Sequence, residues 1–238
     1  FDRVLKIDEN NESALHNKGL ALAILKKYDE ALRCFDRSIS IDENNVPALY
    51  NKGMALFRLE RNEDALQCFD RVLEIEENNQ NALTYKGVIL GTMKEHQKSI
   101  ECFDRLLEID ENDARALYNK GLALARFERY DEVLMCFDRV LEIDENYHDA
   151  WSSKGTALSA LERNDEALVC YDRAIAIDEN DAYAWTRKGD SLSSLERNEE
   201  ALVCYDRAIS IDENDVRSWN SKGDSLLILE RYDEALVC

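Results

Sequence analysis

Lysines, cysteines and carboxylates supply the reactive groups of this sequence, and the first two recur on a strict spacing. Lys18, Lys52, Lys86, Lys120, Lys154, Lys188 and Lys222 stand 34 residues apart, each directly before a glycine. Such a row of ammonium groups suits an anion-binding ladder. Its structural alternative packs the aliphatic stems between helices and pairs each ammonium with carboxylates of the preceding DEN turn. The row is invariant along the chain, whereas recognition surfaces vary from unit to unit, so the structural role is preferred. Cys34, Cys68, Cys102, Cys136, Cys170, Cys204 and Cys238 occupy a second frame of the same period. Zinc needs ligands converging from short spacings such as C-x2-C, which this spacing does not provide. Equivalent positions of stacked repeats lie too far apart for a disulfide. The cysteines therefore read as reduced, small apolar packing groups of an intracellular, cytoplasmic protein. His16, His96 and His148 fall at three different places in the period and do not cluster. There is no phosphate-cradling loop, nucleophile elbow or HExxH. The expectation is a protein that is not an enzyme, with no metal and no cofactor.

Charge narrows the partners. The 238 residues carry a net charge of -20, and a nucleic-acid binder needs a basic face to release counterions. An anionic membrane surface is disfavoured for the same reason. No apolar run approaches the length of a membrane span, and no stretch reads as a signal peptide. Residues 1–147 hold 30 acidic and 20 basic side chains and residues 148–238 hold 20 and 10. A basic or polar partner segment therefore fits better toward the C-terminal end.

Self-similarity at a fixed period of this size denotes stacked repeats. Full units run 12–45, 46–79, 80–113, 114–147, 148–181 and 182–215, with partial units at 1–11 and 216–238. The expected domain is one array, 1–238. Each unit holds two helices. In the first, about Glu12 to Lys26, Leu15, Gly19, Leu22 and Leu25 share one face. Asn11, Asn45, Asn79, Asp113, Asp181 and Asp215 are its N-cap candidates; Tyr147 breaks the series, and Asn146 is the substitute. The second, about Asp29 to Ile41, presents Ala31, Phe35 and Ile39. Fourteen helices are expected, counting partial ones. A mid-helix glycine costs about 1 kcal/mol relative to alanine, so its recurrence implies a close helix approach. The expected partner is the residue twelve positions later: Ala31 opposite Gly19, Val133 opposite Gly121, and Ser99 in the irregular third unit.

The unit resembles the tetratricopeptide repeat, a 34-residue helix–turn–helix with the pattern W-x2-L-G-x2-Y…A-x3-F…P. Trp151, Trp185 and Trp219 match the tryptophan, the glycines match, and Ala31 with Phe35 or Ala167 with Tyr171 match A-x3-F. The resemblance covers the whole chain. It departs in three places: lysine before the glycine, glutamate where proline is usual, and Lys26, Glu60, Lys94, Glu128, Glu162 and Glu196 where a glycine usually joins the helices. It implies an all-α fold, a right-handed α-solenoid.

In that family, positions 2, 5, 9, 12 and 13 of the first helix line a concave peptide groove. Carried over, position 5 gives His16, Tyr50, Thr84 and Tyr118; position 9 gives Leu20, Met54, Val88, Leu122, Thr156, Asp190 and Asp224. Positions 12 and 13 add Ile24, Phe57, Arg58 and Arg126. The groove is thus expected to be apolar and aromatic with two arginines early, then polar and acidic. No trio of units supplies the lysines and asparagines of the family's carboxylate clamp. The reading is a non-enzymatic scaffold that binds a peptide or protein segment, with no nucleic acid and no membrane partner. The alternatives are an array that self-associates end to end and the repeat region of a larger multidomain protein.

Overall fold

The computed structural model describes all 238 residues as helices and turns, with no strand. The first helices of the units are α2 (Glu12–Ile24), α4 (Val46–Arg58), α6 (Gln80–Thr92), α8 (Ala114–Ala125), α10 (His148–Ala160), α12 (Ala182–Ser194) and α14 (Val216–Ile228). Second helices alternate with them: α3 (Tyr28–Ile41), α5 (Asn62–Ile75), α7 (His96–Ile109), α9 (Tyr130–Ile143), α11 (Asn164–Ile177) and α13 (Asn198–Ile211). Two short helices, α1 (Asp2–Ile7) and α15 (Tyr232–Ala235), bring the number to fifteen, not fourteen. The difference is arithmetic: a second helix divided between the two ends appears twice. No helix is long and apolar enough to cross a membrane. The contacts divide into two compact units, Phe1–Ala116 and Leu117–Cys238.

The starts of the first helices follow the expected capping chemistry. Asn11, Asn45, Asn79 and Asp181 each accept the backbone N–H three residues on, and Asp215 accepts from Arg217. Asp113 accepts from Arg115 and Ala116. At α10 the N-cap is Tyr147, whose side chain caps nothing. Asn146 does not take over the cap; its N–H donates to Asp144 Oδ1 at 3.0 Å. The same Asx turn closes the DEN segments, Asn44 N–H donating to Asp42 and Asn180 N–H to Asp178. Side-chain turns thus stand in for the missing proline.

Between the helices of each unit, Lys26, Glu60, Lys94, Glu128, Glu162, Glu196 and Glu230 adopt φ between 57° and 64°. Lys27 N–H reaches Leu22 O at 2.9 Å and Lys26 N–H reaches Ala23 O at 2.9 Å, the paired bonds of a Schellman ending. This left-handed position normally takes glycine; a side chain there costs about 1–2 kcal/mol.

The glycines face a ring. A Cβ on Gly19 would lie 2.6 Å from Phe35 Cε1, and one on Gly53 would lie 2.9 Å from Phe69 Cζ. Gly121 meets Phe137, Gly155 meets Tyr171 and Gly189 meets Tyr205 in the same way. The close partner is therefore the aromatic sixteen residues on, not the alanine twelve on, and Gly121 faces Phe137 rather than Val133. An alanine leaves no bulk to reach across; one edge of the ring occupies the space that the glycine leaves open. Position twelve still sits close by: Ser99 donates to Gly87 O at 2.7 Å, which satisfies the buried hydroxyl.

Candidate functional site

The lysine row is structural, with a different partner from the one expected. Lys52 pairs with Asp36 at 2.7 Å, Lys86 with Asp70 at 2.6 Å and Lys188 with Asp172 at 2.6 Å. The carboxylate belongs to the preceding second helix, sixteen residues earlier, not to the DEN turn. The DEN aspartates instead accept backbone N–H groups of their own turns. Lys154, Lys188 and Lys222 also lie over the rings of Trp151, Trp185 and Trp219, 5.6, 5.4 and 5.3 Å from the centroids. Those indoles donate to Glu145 O, Glu179 O and Glu213 O, tying first helix to preceding turn.

Cysteines 34 to 204 are buried, and Cys238 is exposed. Burial pushes the thiols of Cys68, Cys170 and Cys204 up to about 11, away from the reactive thiolate. No group of three or more His, Cys, Asp or Glu is arranged to hold a metal ion.

In residues 1–116 the expected groove residues divide into exposed and packed sets. Ile24 and Arg58 are exposed, while Leu20, Met54, Thr84 and Val88 are half-buried. His16 lies 6.0 Å from the Phe35 ring, and burial lowers its pKa. Tyr50 stands 5.8 Å from Phe69 and 6.0 Å from Tyr85; Phe57 lies 6.2 Å from Tyr85. These aromatics pack against one another. Burial and the neighbouring Tyr85 push the Tyr50 phenol up to about 12.

In residues 117–238 a cleft of about 430 Å³ opens on α8, α10 and α12, with α9 behind it. Leu122, Arg126 and Thr156, all expected, line it. Its floor is Val133, Ala157 and Ala160. Tyr183 closes one side, with its hydroxyl 3.1 Å from Thr156 Oγ1. Arg187 lies 5.0 Å over the Tyr183 ring, and its buried Nε has no hydrogen-bond partner within the protein. Tyr118 is half-buried: its ring lies 5.3 Å from Tyr147, tilted by 32°, and its hydroxyl lies 3.3 Å from Ser153 Oγ.

Asp190, expected to meet a basic segment, already has cations. Arg217 holds it at 2.8 Å and Arg187 approaches to 3.6 Å, while Tyr205 donates to its other oxygen at 3.2 Å. Asp224 is exposed beside a separate cleft of about 410 Å³ with Trp219 and Leu227. The cleft on α8, α10 and α12 thus offers apolar floor, hydroxyls and two guanidinium groups. Tyr183, Ser153 and Arg187 were not among the expected residues. Tyr183 occupies position 2, a groove position whose occupants were not enumerated, so the repeat comparison held that signal. Ser153 and Arg187 share a position outside the carried-over set.

Comparison with known proteins accords with this architecture. Segments 13–45, 46–79, 114–147, 148–181 and 182–215 match one tetratricopeptide repeat family model. Two further models of that repeat match 81–113 and 204–237. No curated protein sequence matches. Among solved structures, PilF of Pseudomonas aeruginosa is similar with a TM-score of 0.75 at 14% identity, over 91% of this chain and 98% of that one. A tetratricopeptide repeat protein from Parabacteroides merdae reaches 0.70 at 18%, over 94% and 89%. YrrB, a TPR protein with an unusual peptide-binding site, reaches 0.64 at 23%, over 79% and 97%. These identities speak to the fold, and the fold and the repeat matches agree: the chain belongs to the tetratricopeptide repeat family.

Proposed function

We propose that the face built by the first helices holds a peptide or protein segment, and that the cleft on α8, α10 and α12 receives a hydrophobic anchor flanked by a carboxylate. The coarse function follows from the family: the chain is a protein–protein interaction scaffold with a protein or peptide partner. The observation that carries the finer reading is the pairing of Arg126 and Arg187 around an apolar floor in a chain of net charge -20. Guanidinium groups in a partly desolvated cleft favour a carboxylate ligand in bidentate geometry. Leu122, at 40% exposure, and Tyr183, at 46%, are the contact side chains. His16, Leu20, Ile24, Met54 and Val88 extend the same reading along the first helices of residues 1–116. The cleft holds no nucleophile beside a base, so the reading assigns binding and no reaction.

Panning a random peptide library against the full chain tests this. Enriched peptides should carry a large apolar residue beside Asp or Glu. The Leu122→Ala, Tyr183→Ala double variant should lower their affinity about tenfold or more, roughly 1.4 kcal/mol, with an unchanged circular dichroism spectrum. A selection that yields no such peptides, or such peptides whose affinity ignores these variants, would refute the reading.

A further inference from the structure

The second helices of residues 117–238 carry an apolar row that the packing does not use. One repeat position holds Met135, Val169 and Val203, which are 71%, 60% and 65% exposed. In residues 1–116 the same position holds Arg33, Gln67 and Glu101. Valine forms helix less readily than arginine, glutamine or glutamate, so nothing internal to α11 or α13 favours it on a solvent face. Large apolar groups repeated in register on an exposed face mark a contact surface. Beside Val203 the surface is also concave: a cleft of about 510 Å³ lined by α11, α12 and α13 has Leu168, Trp185 and Leu192 along it, and its two cations, Lys188 and Arg197, are paired with Asp172 and Glu200.

Charge indicates what covers the row. Exposed carboxylates Asp131 and Asp165 stand one helical turn before Met135 and Val169; Glu199, one turn before Val203, already pairs with Arg231 at 3.1 Å. Residues 117–238 carry 27 acidic and 14 basic side chains. A second copy would bring another net charge of -20 against this face. We propose that Met135, Val169 and Val203 form a second docking surface, separate from the first-helix cleft, for a cationic amphipathic segment of a partner protein. Its apolar side chains would lie on the row and its Lys or Arg side chains beside the carboxylates.

The probe is a fluorescein-labelled amphipathic helical peptide of leucine and lysine, with two controls: the same pattern in leucine and glutamate, and a scrambled leucine–lysine peptide. Fluorescence anisotropy with the full chain should show binding of the first peptide only. The Met135→Ser, Val169→Ser, Val203→Ser variant removes the apolar row and keeps the charge, so its affinity should fall about tenfold or more. Tyr183→Ala, on the other face, should leave it unchanged. Equal binding to the triple variant, or equal binding of the scrambled peptide, would reduce the surface to general electrostatics and overturn the proposal. Light scattering that finds a dimer of the native chain, lost in the triple variant, would assign the row to a second copy instead.

Discussion

Residues 1–116 and 117–238 share one 34-residue frame and fill it differently. In both, an aromatic ring lies against a glycine of the first helix. In the first unit the rings are Phe35, Phe69 and Phe103, and the neighbours of Phe69 are rings again: Tyr85 stacks on it at 5.8 Å with 13° between planes. In the second unit Tyr171 and Tyr205 carry hydroxyls in the same role. Tyr171 lies 3.3 Å from Ser159 Oγ, and Ser159 reaches Ser191 in the next repeat at 2.8 Å. Thr186 and Ser218 repeat the pattern at 2.5 Å. The period fixes the ring against the glycine; what the far edge of the ring touches is free to be dry or hydrogen-bonded. The first unit therefore clusters the aromatics of its first helices around Phe69, while the second combines the Tyr118–Tyr147 ring contact with tryptophans and hydroxyls.

The largest effect that separates the units is deletion of a ring. Phe69→Ala should cost about 3–5 kcal/mol in urea unfolding followed by circular dichroism, because Phe69 is wholly buried and touches Tyr50 and Tyr85. A loss below about 1 kcal/mol would mean that the cluster is incidental. Adding a methyl under a ring comes next. On Gly155 it would fall 2.7 Å from Tyr171 Cε1, and overpacking of about 1–3 kcal/mol exceeds much of the helix gain of about 1 kcal/mol. Gly91→Ala meets only Ser99 Oγ at 3.4 Å, so it should be neutral or stabilising. If the two substitutions behaved alike, the ring-on-glycine account would fail.

A smaller effect should be equal in the two units. Glu60→Gly and Glu162→Gly each relieve a left-handed side chain and should raise the unfolding free energy by up to about 1 kcal/mol, read from urea unfolding. The least is a pH dependence at alkaline pH, to which Tyr50 contributes. The folded-state pKa of Tyr50 lies at about 12, above the ordinary value of 10.0, since burial and Tyr85 disfavour the phenolate. Its contribution is complete below pH 10 and is lost as pH rises toward about 12. Cys68, raised to about 11, acts in the same direction. Tyr50→Phe should flatten the alkaline limb of the stability curve; an unchanged limb would remove Tyr50 as its cause.

The sequence pattern disclosed the helix pairs, the caps and the glycine frame, because these depend on spacing along the chain. It did not disclose what each glycine faces: Ala31 and Phe35 recur on the same period as Gly19, and only the approach of α3 to α2 selects the ring. The lysine partners were misplaced for the same reason, since Asp36 and the DEN carboxylates are equally periodic. In the cleft, Leu122, Arg126 and Thr156 were legible from position; Arg187 was not, because its role depends on lying over Tyr183. The exposure of Ile24 and the internal packing of Tyr50 also depend on neighbours that a single unit does not reveal.

Hydrogen exchange on the full chain, with and without a peptide from the library selection, tests the binding face most directly. Ligand-induced protection should concentrate in 118–126, 152–160 and 183–190, the segments that bring Leu122, Arg126, Thr156, Tyr183 and Arg187 to one cleft. Protection confined to the second helices, or to residues 1–116, would contradict the assignment of the first-helix cleft as the ligand site.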